Sequence, residues 1–382
     1  MRIATGDEGA WLVSDGSYTR LPPWAVTPAG TLRRPVRGVL NMLERQNKPP
    51  VRAYHLTVLT TTNCNLGCAY CFQNTGAAKA DSFKPPRIDA KTLNAEAARD
   101  IARFTQRQMR AAGLKDLDLL VFGGEPLLVP HMVFTLLKAL EPVGLQRARM
   151  ISNGVRLNSA LARQLAASGL REVQTTFDGR QAEHDAVRRD HRGRGTYRTI
   201  IENIVAAQEA TDILFSIRIN VTADNEHGID ALVEDLGQQL DAGRCTLHLA
   251  LVDETAAGFT AATDHKRLAE RFAAWHIAAL EQGFQVTPPT PQARCLYCDK
   301  RRGVEGAVIN ADGTLYSCWD SAGQKGYDVG TATEGYYSDR RVEDRWVRCG
   351  YQDHREPQPE AEKAIDRATV AVLEWKRSRG AP

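Results

Sequence analysis

The sequence predicts an α/β fold of parallel strands joined by crossover helices. Two patterns carry that expectation. Apolar, β-branched runs recur at His55–Thr62, Leu117–Phe122, Ala148–Ser152, Val173–Phe177, Leu214–Val221 and Thr246–Val252. Between them lie stretches of helical period, clearest at Ala95–Ala112, Met132–Leu140, Ser159–Ala167, Thr199–Ala207 and Ile229–Leu240. Strands that alternate with helices run in one direction, because each helix returns the chain to the starting end of the sheet. Periodicity alone leaves an open sheet and a partial barrel equally admissible.

The flanks of this repeat, 55–255, differ from it. Residues 1–54 predict a small element. Ala10–Ser14 and Ser17–Leu21 make a hairpin across Asp15-Gly16, a favoured two-residue turn, and Pro22 and Pro23 end it. A short helix follows around Arg37–Arg45. Residues 256–290 supply a connecting helix and a proline-rich linker. Residues 291–350 are cysteine-rich, with short strands at Gly306–Asn310 and Thr314–Ser317 joined through Ala311-Asp312-Gly313. Residues 351–382 end in a helix whose Ala361, Ala364, Ile365, Ala368, Val372 and Trp375 share one packing face.

Composition narrows the class. The chain has 382 residues, 43% apolar and 25% charged, which excludes a disordered polymer. A net charge of +3 gives no basic field for nucleic acid. No run of 18 apolar residues stands in the sequence, so no transmembrane helix is expected. Met1–Ala10 contains Asp7 and Glu8 and lacks an apolar signal region. These features point to the cytoplasm, where thiols stay reduced. Eight cysteines then need a purpose other than disulfides. Cys64, Cys68 and Cys71 form an early group; Cys295, Cys298, Cys318 and Cys349 form a late one. Cys245 stands alone and reads as a buried inert thiol.

The early group lies in the loop after the first strand, spaced Cys-x3-Cys-x2-Cys. Three thiolates there can each bind one iron of a cubane 4Fe–4S cluster. No fourth cysteine is in the loop, so one iron would keep an open site, as reactive metal centres do. Gly67 is expected to let the loop fold tightly. A zinc loop is the competing reading.

Cys-x3-Cys-x-aromatic-Cys after the first strand, with Tyr70 as the aromatic, resembles the radical S-adenosylmethionine (SAM) superfamily. The resemblance implies a partial (βα)6 barrel, a catalytic 4Fe–4S cluster on Cys64, Cys68 and Cys71, and SAM on the open iron. It places Tyr70 near the adenine. It implies that Gly123, Gly124, Glu125 and Pro126, at the end of the second strand, hold the SAM ammonium group. Asn153 after the third strand, Thr176 and Asp178 at the fourth, His184-Asp185-x2-Arg188 beyond it, and Arg218-x-Asn220 on the fifth resemble pocket-lining segments. The basic run Arg188–Arg194 reads by itself as a solvated loop, with an anion contact as the alternative.

The late group resembles the superfamily's SPASM or twitch region, through Cys298, Gly313 and Cys318. That resemblance implies one auxiliary 4Fe–4S cluster on Cys295, Cys298, Cys318 and Cys349, against a four-cysteine zinc site. Asp299 and Asp320 are carboxylates beside these cysteines that could serve as a base. The implied activity is hydrogen abstraction from a ribosomal precursor peptide, ending in a C–C or thioether crosslink. A sugar or antibiotic dehydrogenase or epimerase is one alternative. A sulfatase-type maturase is another, although such enzymes carry aspartate where Trp319 stands. A non-catalytic zinc or redox module is the third. The implied partners are the peptide and an electron donor such as flavodoxin or ferredoxin. Leader binding falls to residues 1–54 or to a separate protein; no nucleic-acid or membrane partner is implied.

Overall fold

The computed structural model describes residues 2–14, 17–27, 31–46, 53–68, 71, 73, 88–251, 265–287, 302–338, 340–346 and 359–380. At the N-terminus β1 (Arg2–Gly6), β2 (Gly9–Ser14) and β3 (Ser17–Leu21) form an antiparallel sheet in that order. The expected hairpin is β2–β3, with Ser14 opposite Ser17; Asp15 and Gly16 lie outside the described residues. Strand β1 was not expected. Its buried residue, Ala4, packs with Trp11 and Val13 against Val370 and Leu373, so its apolar partners come from the far end of the sequence. Those partners belong to the C-terminal helix α9 (Pro359–Ser378). Glu374 of α9 fastens the sheet: Trp11 Nε1 and Arg20 Nε donate to its Oε1 at 3.0 and 2.5 Å. Helix α1 (Arg34–Gln46) starts earlier than Arg37, with Pro35 in its first turn, where a missing N–H costs nothing.

The repeat folds as six parallel strands in sequence order: β4 (Ala53–Thr61), β5 (Asp116–Gly123), β6 (Leu145–Ile151), β7 (Leu170–Phe177), β8 (Leu214–Val221) and β9 (Cys245–Leu251). The connecting helices are α2 (Ala95–Ala112), α3 (Pro130–Gly144), α4 (Ser159–Ala167), α5 (Gln181–Val187), α6 (Tyr197–Ala210) and α7 (Ile229–Gln239). Leu56, Val58, Val121, Met150, Val173 and Ile217 face these helices in the main core. Alternate residues face the other way. That second face carries Thr57, Leu59, Phe122, Arg149, Gln174 and Arg218. A parallel sheet covered on both faces would be apolar on both. The polar alternation in β7 and β8 therefore marks a face kept for something other than core.

Helix α8 (His265–Glu281) follows, then β10 (Gln285–Val286), which extends the sheet parallel to β9. On the opposite edge β11 (Gly306–Ile309) pairs parallel with β4. β12 (Thr314–Tyr316), β13 (Asp328–Thr331) and β14 (Gly335–Tyr336) continue antiparallel, for a sheet of eleven strands among the described residues. The late hairpin is thus hydrogen-bonded to the first strand of the repeat. Gly313, φ +84°, makes the turn between β11 and β12, a conformation that favours glycine. Among the described residues, no helix is long and apolar enough to cross a membrane.

Candidate active site

The C-terminal ends of β4 and β5 meet through backbone contacts that only glycine permits. A Cβ on Gly123, φ +134°, would collide with the Thr61 carbonyl oxygen; one on Gly124 would collide with that of Asn63. Without side chains, Gly124 N–H donates to Thr61 O and Glu125 N–H to Asn63 O, both at 2.8 Å. The second strand end is thereby sewn to the chain entering the cysteine loop.

Glu125 then joins the third strand. Its side chain is fully buried. Oε1 accepts from Leu127 N–H at 2.9 Å and Ser152 Oγ at 2.8 Å, and Oε2 accepts from Asn153 N–H at 2.7 Å. Burial pushes its pKa above the usual carboxylate range, and these donors offset that only in part. The carboxylate is committed to protein donors. Asn153 passes the link on: Nδ2 donates to Asn65 Oδ1 at 2.9 Å and points at Cys64 Sγ, 3.8 Å away.

The cysteine loop is held from its other side by the basic run. Gly67 N–H donates to Arg189 O at 2.9 Å, and Cys64 O lies 2.9 Å from His191 Nε2. Leu66 bridges to Asp190, whose carboxylate is itself pinned by Arg194 Nε at 2.7 Å. Arg189, Arg192 and Arg194 are exposed, as a solvated loop requires, whereas Arg188 is buried. Gly67 is not in the left-handed region and a Cβ there would meet only His191 at 3.9 Å, so tight folding does not depend on it.

A second buried chain crosses the ends of β7 and β8. Asp178 Oδ2 lies 3.4 Å from Arg188 Nη1, and its Oδ1 accepts from Asn220 Nδ2 at 2.9 Å. Arg218 Nε donates to Asn220 Oδ1 at 2.8 Å, and Thr176 pairs with Arg218 across the two strands. Asn225 locks the chain by donating to Asp178 O and Asn220 O at 2.9 and 2.7 Å. Asn225 was not expected from the sequence, where its signal is a polar cluster following a strand. His184 and Asp185, expected at the pocket, serve the elbow between α5 and α6 instead. His184 is fully buried, its ring 5.5 Å from Phe177 and 5.6 Å from Tyr197. Asp185 Oδ1 accepts from Thr196 and Tyr197 N–H at 2.7 and 3.0 Å, capping α6. Of that motif only Arg188 reaches the site.

Residues 58–236 match the family model of the Radical SAM superfamily. Those residues form a Radical SAM domain. A domain of this kind makes the chain an enzyme, and the family implies a 4Fe–4S cluster and SAM. The chain is 29% identical to GTP 3',8-cyclase of Moorella thermoacetica over 47% of this chain and 50% of that protein. It is 26% identical to mycofactocin maturase MftC of Mycolicibacterium smegmatis over 52% and 44%. The chain spans about half the length of the curated relatives it matches. A solved structure of native anSMEcpe with bound AdoMet and Cp18Cys peptide superposes with a TM-score of 0.60, covering 86% of this chain and 98% of that one. At 13% identity that likeness shows the fold alone.

The thiols of this radical SAM domain fit an iron–sulfur cluster by chemistry. Burial pushes Cys64 up to about 12, and the charge of Glu125 adds to the rise; only the Leu66 N–H, 3.4 Å from Sγ, opposes them among the larger influences. Burial also raises Cys68, with the Arg188 guanidinium pulling the other way. Sulfurs so desolvated become thiolates when a cation supplies the missing charge. Among the described residues no three His, Cys, Asp or Glu side chains converge as a metal site. Tyr70, Cys295, Cys298, Asp299 and Cys349 lie outside the described residues. Cys318 is buried just beyond β12, its Sγ 3.8 Å from Asp320 Oδ2, and Asp320 itself is exposed. Cys245 is buried, as a structural thiol is, and receives Gln208 Nε2 at 3.3 Å.

Proposed function

We propose that this chain cleaves SAM reductively and abstracts hydrogen from a ribosomally made peptide, forming a C–C or thioether crosslink. The observation that carries the reading is the convergence at one end of β4–β8. The cysteine loop, the Glu125–Ser152–Asn153 junction and the Asp178–Arg188–Asn220–Arg218 chain all meet there. On this reading the six strands curve as a partial barrel, with the polar face inward. Cys64, Cys68 and Cys71 would hold the cluster. Tyr70, Gly123, Gly124, Glu125, Pro126, Asn153, Thr176, Asp178, Arg188 and Arg218 would surround SAM. When bound, the cluster supplies the electron that splits the SAM sulfonium into methionine and a 5′-deoxyadenosyl radical.

The chain's own residues supply order. Glu125 fixes the spacing between the β5 and β6 ends, and Asn153 transmits that spacing to Cys64. Arg188 sets a buried positive charge beside Cys68, with Asp178 neutralising it. Cys318 would hold an auxiliary cluster together with Cys295, Cys298 and Cys349. An electron donor of the flavodoxin or ferredoxin kind and a cytoplasmic setting complete the reading. Peptide chemistry is supported by the match to the maturase MftC. Trp319 at the position of an aspartate speaks against a sulfatase-type reaction. A small-molecule substrate is the second reading, favoured by the match to GTP 3',8-cyclase.

Anaerobically reconstituted protein, reduced with dithionite in the presence of SAM, should yield 5′-deoxyadenosine. None from the folded, iron-loaded protein would overturn the reading. Mass spectrometry after incubation with peptides encoded beside this gene should show loss of hydrogen from one of them; turnover of a nucleotide or sugar instead would establish the second reading.

A further inference from the structure

The inner face of the sheet is not uniform. Next to the site it carries a small apolar cluster of its own: Leu59, Leu120, Phe122, Val308, Tyr316 and Ala322. This cluster is separate from the core beneath the helices, because Leu59 and Leu120 alternate with the core residues Val58 and Val121. It lies at the threshold of the site. Leu59 pairs with Phe122, and the next register pair is Thr61 with Gly123. Ile151 packs on the cluster and leads into Ser152 and Asn153.

One residue from the late segment joins the cluster. Trp319, directly after Cys318, donates from Nε1 to Thr57 Oγ1 on the inner face at 3.2 Å. Its ring lies 5.6 Å from that of Phe122, tilted by 43°. Phe122 is buried, whereas Trp319 remains half-buried. The hydrogen bond sets the plane of a large aromatic surface that the sheet itself does not need for its core. Below it on the same face, Arg149 pairs in register with Leu120 on one side and Glu172 on the other, so charges of both signs follow the apolar cluster.

We infer that Trp319 is a specificity-determining residue, forming with Phe122 the wall that receives an apolar or aromatic side chain of the substrate. This rests on the radical SAM reading. A flat apolar wall near the site favours substrate side chains that gain by leaving water. A cationic side chain gains nothing from such a wall, since burying its charge costs free energy. Trp319 thereby couples the late segment to the choice of the residue attacked.

The test uses the full chain, reconstituted anaerobically, with N-acetyl-Gly-Gly-X-Gly-Gly-amide peptides in which X is Phe, Leu, Ser or Lys, deuterated at its β-carbon. Deuterium transfer into 5′-deoxyadenosine is read by mass spectrometry. Phe and Leu should exceed Ser and Lys by about tenfold. In Trp319→Ala the preference should vanish, and in Trp319→Phe it should largely persist. Thr57→Val, which removes the hydroxyl that accepts from Trp319 at nearly constant volume, should give an intermediate ratio and serves if Trp319→Ala does not fold. The ratio is internal to each protein, so incomplete iron loading lowers every peptide alike. Equal transfer from all four peptides, transfer from none, or an unchanged preference in Trp319→Ala would overturn the inference. Absence of 5′-deoxyadenosine without peptide would instead overturn the superfamily chemistry beneath it.

Discussion

Asn153 donates its backbone N–H to Glu125 Oε2 at 2.7 Å, which ties the end of β6 to the loop leaving β5 inside a fully buried junction. The same asparagine directs its side chain at Cys64. One carboxylate thus stands between the sheet and the cysteine loop.

Glu125→Gln should therefore damage more than charge. The amide cannot accept at both oxygens, so one of the Asn153, Ser152 or Leu127 donors is left buried and unpaired. We expect a loss of about 2–3 kcal/mol in urea unfolding, together with reduced iron retention. Unchanged stability would mean that the junction tolerates an unpaired donor.

Gly124→Ala should force the β5 end away from Asn63. Overpacking against a backbone carbonyl, with no flexible neighbour to yield, is expected to cost about 1–3 kcal/mol. Gly38→Ala is the control, since nothing lies within 4 Å of a Cβ there and the residue sits in α1. It should be neutral or slightly stabilising by thermal melt.

Replacing any one of Cys64, Cys68 or Cys71 by Ala should abolish 5′-deoxyadenosine formation with dithionite. The loss should be complete, because the loop holds no fourth cysteine to replace the missing thiolate. A single variant that retains cleavage at the wild-type rate would refute the ligand assignment.

The late cysteines can be counted by iron. With two cubanes the wild type should bind about eight irons, and Cys64, Cys68 and Cys71 replaced together should leave about four. Four in the wild type would leave Cys318 and its group to zinc or to nothing. Cys318→Ala should stop product formation while SAM cleavage continues.

Glu374 should make the docking of the N-terminal sheet pH-dependent. Burial alone would raise its carboxyl, but hydrogen bonds from Arg20, Arg377 and Trp11 outweigh this and leave the pKa lowered. A lowered folded pKa means stability that is present above the unfolded value and is lost as pH falls through the folded one. Glu374→Gln should cost about 1–2 kcal/mol at pH 7, since its arginine partners are partly exposed. The difference between variant and wild type should shrink in acid, below the usual glutamate range. A difference that persists there would assign the effect to packing.

The sequence by itself determined the strand–helix repeat, the cysteine loop at the end of the first strand and the turn at Gly313. These are local properties: apolar period, thiolate spacing and a glycine at positive φ are all written within a few residues of one another. Only the tertiary structure decided that Glu125 faces inward to three protein donors, that His184 and Asp185 build an elbow, and that His191 from the basic run grips the cysteine loop. It also decided that β1 exists, because Ala4 finds its apolar neighbours on α9, more than 350 residues away in sequence. The physical reason is common to all of these. A buried polar group is satisfied by whichever donor the fold brings within about 3 Å, and a strand whose one fully buried residue is a small alanine gains little until a distant helix covers it. Neither partner is encoded near the residue it completes.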